Sequence, residues 1–188
     1  MTNVRNDPGS YRLRVSIKEV EPAVWREMIV PGTASLSDLH RILQIALGWW
    51  DSHLHDFQVN GVRYEPTMSE SEGEPTETTF LGNLDLRPGD VFSYRYDFGD
   101  DWSHRIEVLA TLADDAEGAV PRVIAGENTA PLEDSGGPDG HRAVLAVLSG
   151  DLVDEELRDW IPPAYDPQRF DLGETNRVLL LLHAWDGL

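Results

Sequence analysis

Apolar and polar residues alternate near the start of the chain, and this pattern predicts a half-buried strand. Apolar residues occupy every odd position of the segment 11–17 (YRLRVSI), and polar residues occupy the even positions. Side chains two apart on a strand point the same way, so the apolar ones share one face. A second strand is predicted over 24–30, ended by Pro31-Gly32. The two segments are predicted to form a hairpin.

The next segment changes to helical spacing. Apolar residues recur at intervals of three and four between Leu36 and Leu47, as on the buried face of an amphipathic helix. Ser35 and Asp38 form the S-x-x-D pattern of a helix start, and Gly48 stands where the helix ends. Three further helices are predicted over 141–148, 154–160 and 174–185.

Two more hairpins are predicted in the middle of the chain. Segments 54–59 and 62–64 flank Asn60-Gly61, a dipeptide typical of tight hairpin turns. Segments 91–98 and 102–112 have matching apolar faces on either side of a short Gly-Asp-Asp connection. A last short strand is predicted over 122–124.

The register of the hairpin over 91–112 follows from its faces. Tyr94 and Tyr96 must lie on the same side as His104 and Ile106, because a shift by one residue would expose the aromatic rings to water. Paired residue numbers therefore add to an even value. The connection is predicted to contain three or five residues.

These elements predict an α+β fold with a mixed or mostly antiparallel sheet, built from hairpins and flanked by helices. The length of 188 residues fits a single domain over 1–188. Residues 1–10 are predicted to form a flexible N-terminal tail. The segment 65–79 contains five acids and almost nothing to bury, so a mobile acidic loop is predicted there.

Charge and composition exclude several functions. The chain has 15 Lys and Arg against 34 Asp and Glu, a net charge of −19, so it repels nucleic acid at long range. It contains no cysteine, which excludes disulfides and thiolate metal sites. No signal-peptide pattern and no apolar run long enough to span a bilayer occurs. We therefore expect a soluble, cytoplasmic protein with no membrane partner.

The stretch from Tyr96 to His104 is the most suggestive candidate site. Asp97, Asp100 and Asp101 lie around a turn, followed by Trp102 and His104. Carboxylates on a tight loop suit a hard cation such as Mg²⁺ or Ca²⁺. The alternative is structural: Asp and Gly favour turns, Asp97 can pair across strands with Arg95 or Arg105, and His104 lies on an apolar face.

Two other segments add candidates. His53 and His55 are two apart on a predicted strand edge and can face one ligand, although an H-x-H pair needs a third ligand from elsewhere. The structural alternative applies more to His55 than to His53. Glu133 and Asp134 lie in a loop whose glycines permit close approach of a partner.

A family resemblance is carried, in chain order, by Pro22–Arg26, Gly48-Trp49, His53-Leu54 with Phe57, Tyr96–His104, Pro131–Gly137 and Phe170-Asp171. In these segments the chain resembles the plasmid pRiA4b ORF-3-like family, whose members are also labelled insertion-element passenger proteins of the TnpR type. The resemblance implies the same α+β fold. The chain departs from the family at two positions: relatives usually carry cysteine where it has Ser135, and proline where it has Leu132. A role for a thiol therefore cannot operate here. A resolvase also needs a basic DNA-binding module, and none is visible.

Two functions remain open. The leading interpretation is a non-enzymatic accessory protein of a plasmid or mobile element, which binds a protein partner and uses no cofactor. The alternative is a divalent-metal-dependent hydrolase that uses Mg²⁺, Mn²⁺ or Ca²⁺ at the loops Asp97–His104 and Glu133-Asp134. His53 is a further candidate member of this site, and Asp100, His104 and Glu133 are the candidate ligands.

The acidic charge generates a first prediction. The isolated protein should show no measurable retention of duplex DNA at physiological salt, and any weak retention should vanish as salt is raised. A filter-binding or mobility-shift titration over a salt series measures this. Tight, sequence-specific retention would instead mean that Arg12, Arg14 and Lys18 form a basic patch strong enough to overcome the net charge.

Overall fold

An eight-stranded sheet forms the centre of the computed structural model, which describes residues 9–68, 72–113 and 120–186. The strand order is β5-β4-β3-β6-β7-β1-β2-β8, and every neighbouring pair is antiparallel except β4 and β5. This confirms the predicted α+β class. The strands are β1 Ser10–Ile17, β2 Trp25–Pro31, β3 His55–Val59, β4 Val62–Glu65, β5 Glu74–Pro75, β6 Val91–Tyr96, β7 Trp102–Leu112 and β8 Arg122–Glu127.

Four α-helices accompany the sheet. They are α1 Leu36–Leu47, α2 Gly137–Ser149, α3 Glu155–Trp160 and α4 Leu172–Asp186, with a short 3-10 helix at Leu81–Leu84. Helix α1 supplies the apolar residues that pack on the buried face of the sheet. Within the described ranges, no helix combines the length and the apolar content needed to cross a bilayer.

The predicted ends of α1 are confirmed. The Ser35 hydroxyl accepts a hydrogen bond from the backbone N–H of Asp38 at 3.0 Å, and the Asp38 carboxylate accepts one from the N–H of Ser35 at 2.9 Å. Gly48 adopts a left-handed conformation with φ of 80°, and its N–H donates to the carbonyl of Gln44 at the end of the helix. The chain therefore leaves α1 in a defined direction, and this direction sets the path of the loop that follows.

The predicted register of the β6–β7 hairpin is also confirmed. Tyr94 pairs with His104 and Tyr96 with Trp102, so the connection is the five-residue loop 97–101. All four of these side chains are buried.

The acidic segment 65–79 contains more structure than predicted. Strand β5 pairs with β4, and Thr76 is buried. The carbonyls of Thr76 and Thr79 accept hydrogen bonds from Ser37 and Leu36 at the start of α1. Backbone hydrogen bonds, rather than apolar side chains, hold these residues of the segment. Residues 69–71, and residues 1–8 of the predicted tail, lie outside the described residues.

A buried arginine joins the sheet to the helices. Arg26 on β2 is 2% exposed, and its guanidinium donates to the carbonyls of Ala46, Trp25, Glu127 and Asn128, each at 2.8 Å. Its other contact is the ring of Phe170, 3.8 Å away. Burial lowers the pKa of Arg26 to about 10, so the side chain remains charged at neutral pH.

Replacement of Arg26 should destabilise the fold strongly. We expect Arg26→Met to lower the free energy of unfolding by at least about 3 kcal/mol, because four carbonyls lose a charged donor. Urea denaturation measures the change. Arg87→Met is the matched control, since this exposed side chain pairs with the exposed Asp85, and its effect should stay below about 0.5 kcal/mol. A loss below about 1 kcal/mol for Arg26→Met would contradict the proposed role.

Candidate functional site

Three loops meet at one end of the sheet and bring together His53, Asp97 and Asp134. The loops are 49–54 after α1, 97–101 in the β6–β7 hairpin, and 133–137 before α2. The His53 Nε2 atom lies 3.6 Å from Asp97 Oδ2 and 3.1 Å from Asp134 Oδ1. One potential ligand atom from each residue lies within 4.8 Å of the other two. We call this group the three-loop site.

The three-loop site is buried on one side and open on the other. The side chain of Asp97 is 10% exposed, that of His53 is 29% exposed and that of Asp134 is 69% exposed. His53 Nε2 is itself buried, and it makes no hydrogen bond with any described residue. The three groups therefore converge without satisfying one another.

Asp97 owes its position to the end of β6. Its φ of 55° turns the chain out of the sheet, and its N–H donates to the carbonyl of Leu54 at 2.9 Å. Its carboxylate accepts from the N–H of Gly99 at 2.9 Å. The cross-strand pairing of Asp97 that we considered is wrong because Asp97 has left the strand face. Arg95 pairs instead with Asp56, at 2.7 Å.

Glu133 holds the third loop in place. Its carboxylate accepts from the Tyr96 hydroxyl at 2.5 Å and from the N–H of Trp50 at 2.8 Å. Burial raises the pKa of Tyr96, and the hydrogen bond to Glu133 adds to this rise, so Tyr96 stays protonated and donates. Glu133 thus ties loops 49–54 and 133–137 to the sheet and positions its neighbour Asp134.

Asp100, in the β6–β7 hairpin loop, also holds the loop 133–137 in place. Its carboxylate accepts from the N–H of Gly136 at 3.0 Å. The loop passes so close that a Cβ atom on Gly137 would lie 2.5 Å from the carbonyl oxygen of Asp100, and Gly137 has a φ of 69°. Only glycine suits this position. Asp100 therefore supports the three-loop site without facing His53.

The remaining predicted site residues lie elsewhere. His104 is fully buried on the core face, where its Nδ1 faces the carbonyl of Tyr94 at 3.3 Å and its ring packs edge-on against Trp49. Trp102 is also fully buried, and Asp101 is exposed. The trio Asp100, His104 and Glu133, which we considered as metal ligands, is therefore not brought together.

Sequence reasoning missed a second polar group beside this site. His40 on α1 contacts the Tyr94 hydroxyl through Nδ1 at 2.8 Å and Asp51 through Nε2 at 2.7 Å. Gln44 Nε2 donates to Tyr94 at 3.0 Å, and the N–H of Asp51 donates to Gln44 Oε1 at 3.0 Å. A signal was present, since His40 and Gln44 are four apart on the predicted buried face of α1.

His55 completes this second group. Its ring stacks on that of His40, with centroids 3.5 Å apart and planes 7° from parallel. Burial and the neighbouring His40 lower the pKa of His55 to about 3. Burial also lowers the pKa of His40, against the opposing effect of Asp51. Both rings are therefore neutral at physiological pH.

Comparison with known proteins identifies the family of the chain. The family described as "Plasmid pRiA4b ORF-3-like protein" matches residues 9–174. The chain belongs to this family. The match spans every segment on which the resemblance was based, and three of those segments carry the three residues of the three-loop site.

Two relatives extend this result. The uncharacterized protein y4hQ of Sinorhizobium fredii is 32% identical over 175 residues, which cover 89% of each chain. The crystal structure of MM3350, a protein of unknown function from Methanosarcina mazei Go1, is similar with a TM-score of 0.78 and 30% identity. That similarity covers 88% of this chain and 95% of MM3350.

The buried histidines predict loss of stability in acid. Burial lowers the pKa of His55 to about 3 and that of His104 to about 4, both below the ordinary value of 6.5. The unfolded chain therefore binds more protons below pH 6.5, and the free energy of unfolding falls as pH falls toward 4. Each histidine should contribute about 1.5 kcal/mol of loss between about pH 6.5 and pH 5.

Urea denaturation across this pH range measures the loss. His55→Gln should show a shallower decline than the unsubstituted protein, whatever its stability at neutral pH. Equal pH slopes for the two proteins would show that His55 is not held neutral by the fold.

Proposed function

We propose that the three-loop site binds a divalent cation and that the protein is a metal-dependent hydrolase. The observation that supports this most is the convergence of His53, Asp97 and Asp134 from three separate loops. Surface acids that serve only solubility are spread apart by their mutual repulsion, whereas these two carboxylates approach the same buried ring nitrogen.

The ligand chemistry favours Mn²⁺ among the cations considered. Carboxylate oxygens suit Mg²⁺, Ca²⁺ and Mn²⁺, and an imidazole nitrogen favours the transition metals. Three protein ligands leave coordination positions for water and substrate, as in catalytic metal sites. A bound cation would supply the usual chemistry of such sites, which is a water of lowered pKa that acts as the nucleophile.

The surrounding residues would keep the site in shape. Glu133 and Asp100 anchor the loop of Asp134 through Tyr96 and Gly136, so little order has to be gained when a cation binds. The exposed side of Asp134 leaves the site open to a substrate from solvent. Glu133 and Asp100 therefore act as positioning residues, whereas His53, Asp97 and Asp134 would contact the cation.

A second candidate function is the non-enzymatic accessory role in a plasmid or mobile-element context in the cytoplasm. The observation that favours it is an exposed apolar group next to the three-loop site. Trp50 is 86% exposed, Leu54 is 48% exposed and Phe98 is 41% exposed. Exposed apolar side chains grouped around a polar site are typical of protein-binding surfaces. In this candidate the three loops contact a protein partner, and insertion-element passengers of the TnpR type are the proposed setting.

Cation binding should stabilise the folded protein. At a Mn²⁺ concentration one hundred times its dissociation constant, mass action adds about 2.7 kcal/mol. For a chain of this length, the melting temperature should rise by about 5–10 °C. Asp97→Asn and Asp134→Asn should abolish the rise, as followed by thermal denaturation. Asp85→Asn is the matched control, since Asp85 is about as exposed as Asp134 and pairs with the exposed Arg87.

A rise in melting temperature that all three variants retain would show general charge screening and would contradict the cation site.

Hydrolysis is tested separately with chromogenic phosphodiester, phosphomonoester and carboxylic ester substrates in Mn²⁺. We expect turnover of at least one class that Asp97→Asn eliminates. Site-specific cation binding without turnover of any class would favour the accessory role.

A further inference from the structure

The second polar group forms a distinct candidate site for a transition-metal ion. We propose that His40, Asp51 and His55 bind a divalent transition metal such as Zn²⁺ or Co²⁺. One potential ligand atom from each residue lies within 4.8 Å of the other two, and none of the three belongs to the three-loop site. The inference therefore does not depend on the proposed hydrolase function.

An unpartnered nitrogen supports the proposal independently of the clustering. His55 is 6% exposed, and its buried Nε2 has no hydrogen-bond partner among the described residues. A buried polar atom without a partner costs about 1–3 kcal/mol. A metal ion supplies the partner that the protein atoms around His55 do not.

The surroundings of His40 are those of a metal ligand. Metal-binding histidines almost always donate their second ring N–H to a neighbouring acceptor, which fixes the ring. With a cation on Nε2 of His40, the ring proton lies on Nδ1, which faces the Tyr94 hydroxyl oxygen at 2.8 Å. Gln44 orients that hydroxyl in turn. The second ring nitrogen of His40 thus already has a fixed partner.

The site is also accessible from solvent. The carboxylate of Asp51 is 52% exposed and offers an entry path from solvent. In the stacked arrangement the two ring planes are nearly parallel, so one ring must turn about its Cβ–Cγ bond before both nitrogens point at one ion.

The ligand set distinguishes this site from the three-loop site. Two imidazoles and one carboxylate favour Zn²⁺, Fe²⁺ or Co²⁺, whereas two carboxylates and one imidazole favour harder ions such as Mn²⁺. The alternating segment Asp51-Ser52-His53-Leu54-His55 serves both groups, with its outer residues in one and His53 in the other. The segment from Asp51 to His55 thus carries ligands for two sites of different metal preference.

Co²⁺ titration of the full-length protein tests the proposal. The Asp134→Asn variant serves as the background, so that the three-loop site is weakened. We expect visible ligand-field bands that saturate at one Co²⁺ per chain and disappear when Zn²⁺ is added. Adding His55→Gln or Asp51→Asn should weaken Co²⁺ binding by at least about tenfold. Adding His53→Gln, two residues away and in the other group, should leave the bands unchanged.

Asp51→Asn guards against a folding artefact, because its exposed side chain can change without disturbing the core. Absence of saturable bands, or bands that both variants retain, would overturn the proposal. Either result would mean that the hydrogen bonds linking His40, Tyr94, Gln44 and Asp51 only stabilise the fold. Loss of the bands with His53→Gln would also overturn it, because the ion would then belong to the three-loop site.

Discussion

The five-residue loop 97–101 is the constraint on which the rest of the candidate site depends. The register of the β6–β7 hairpin sets its length, and that register is forced by the aromatic faces of the two strands. Loop 49–54 docks on it through the hydrogen bond from Asp97 to Leu54, and loop 133–137 docks through Asp100 and Gly136. A shift of one residue in the hairpin would displace Asp97 and Asp100 and remove both of these hydrogen bonds.

Much of this arrangement was accessible from the sequence. Alternation predicted the strands, helical spacing and caps predicted α1, and matching faces predicted the hairpin and its loop length. The site lies among the predicted loops, and His53, Asp97 and Asp134 were all among the candidates. The predicted strands, helix α1 and the hairpin are confirmed because each rests on a local rule that the tertiary structure has no reason to override.

The sequence could not show which candidates face one another. His104 and Asp97 lie in one short motif, yet the turn at Asp97 sends its carboxylate to His53, whereas His104 stays on the core face of β7. The second polar group was missed because it includes residues that are distant in sequence. Tyr94, for example, is 54 residues from His40. Such pairings depend on the strand order, which periodicity does not reveal.

Arg26 shows the same dependence at the level of the fold, since its acceptors come from α1, β2 and the end of β8.

The central claim is that a divalent cation binds at the three-loop site. Anomalous diffraction from crystals soaked in Mn²⁺ tests this claim most directly. The account predicts an anomalous peak about 2.0–2.3 Å from His53 Nε2 and from one carboxylate oxygen each of Asp97 and Asp134. Saturating Mn²⁺ with no peak at these residues would contradict it.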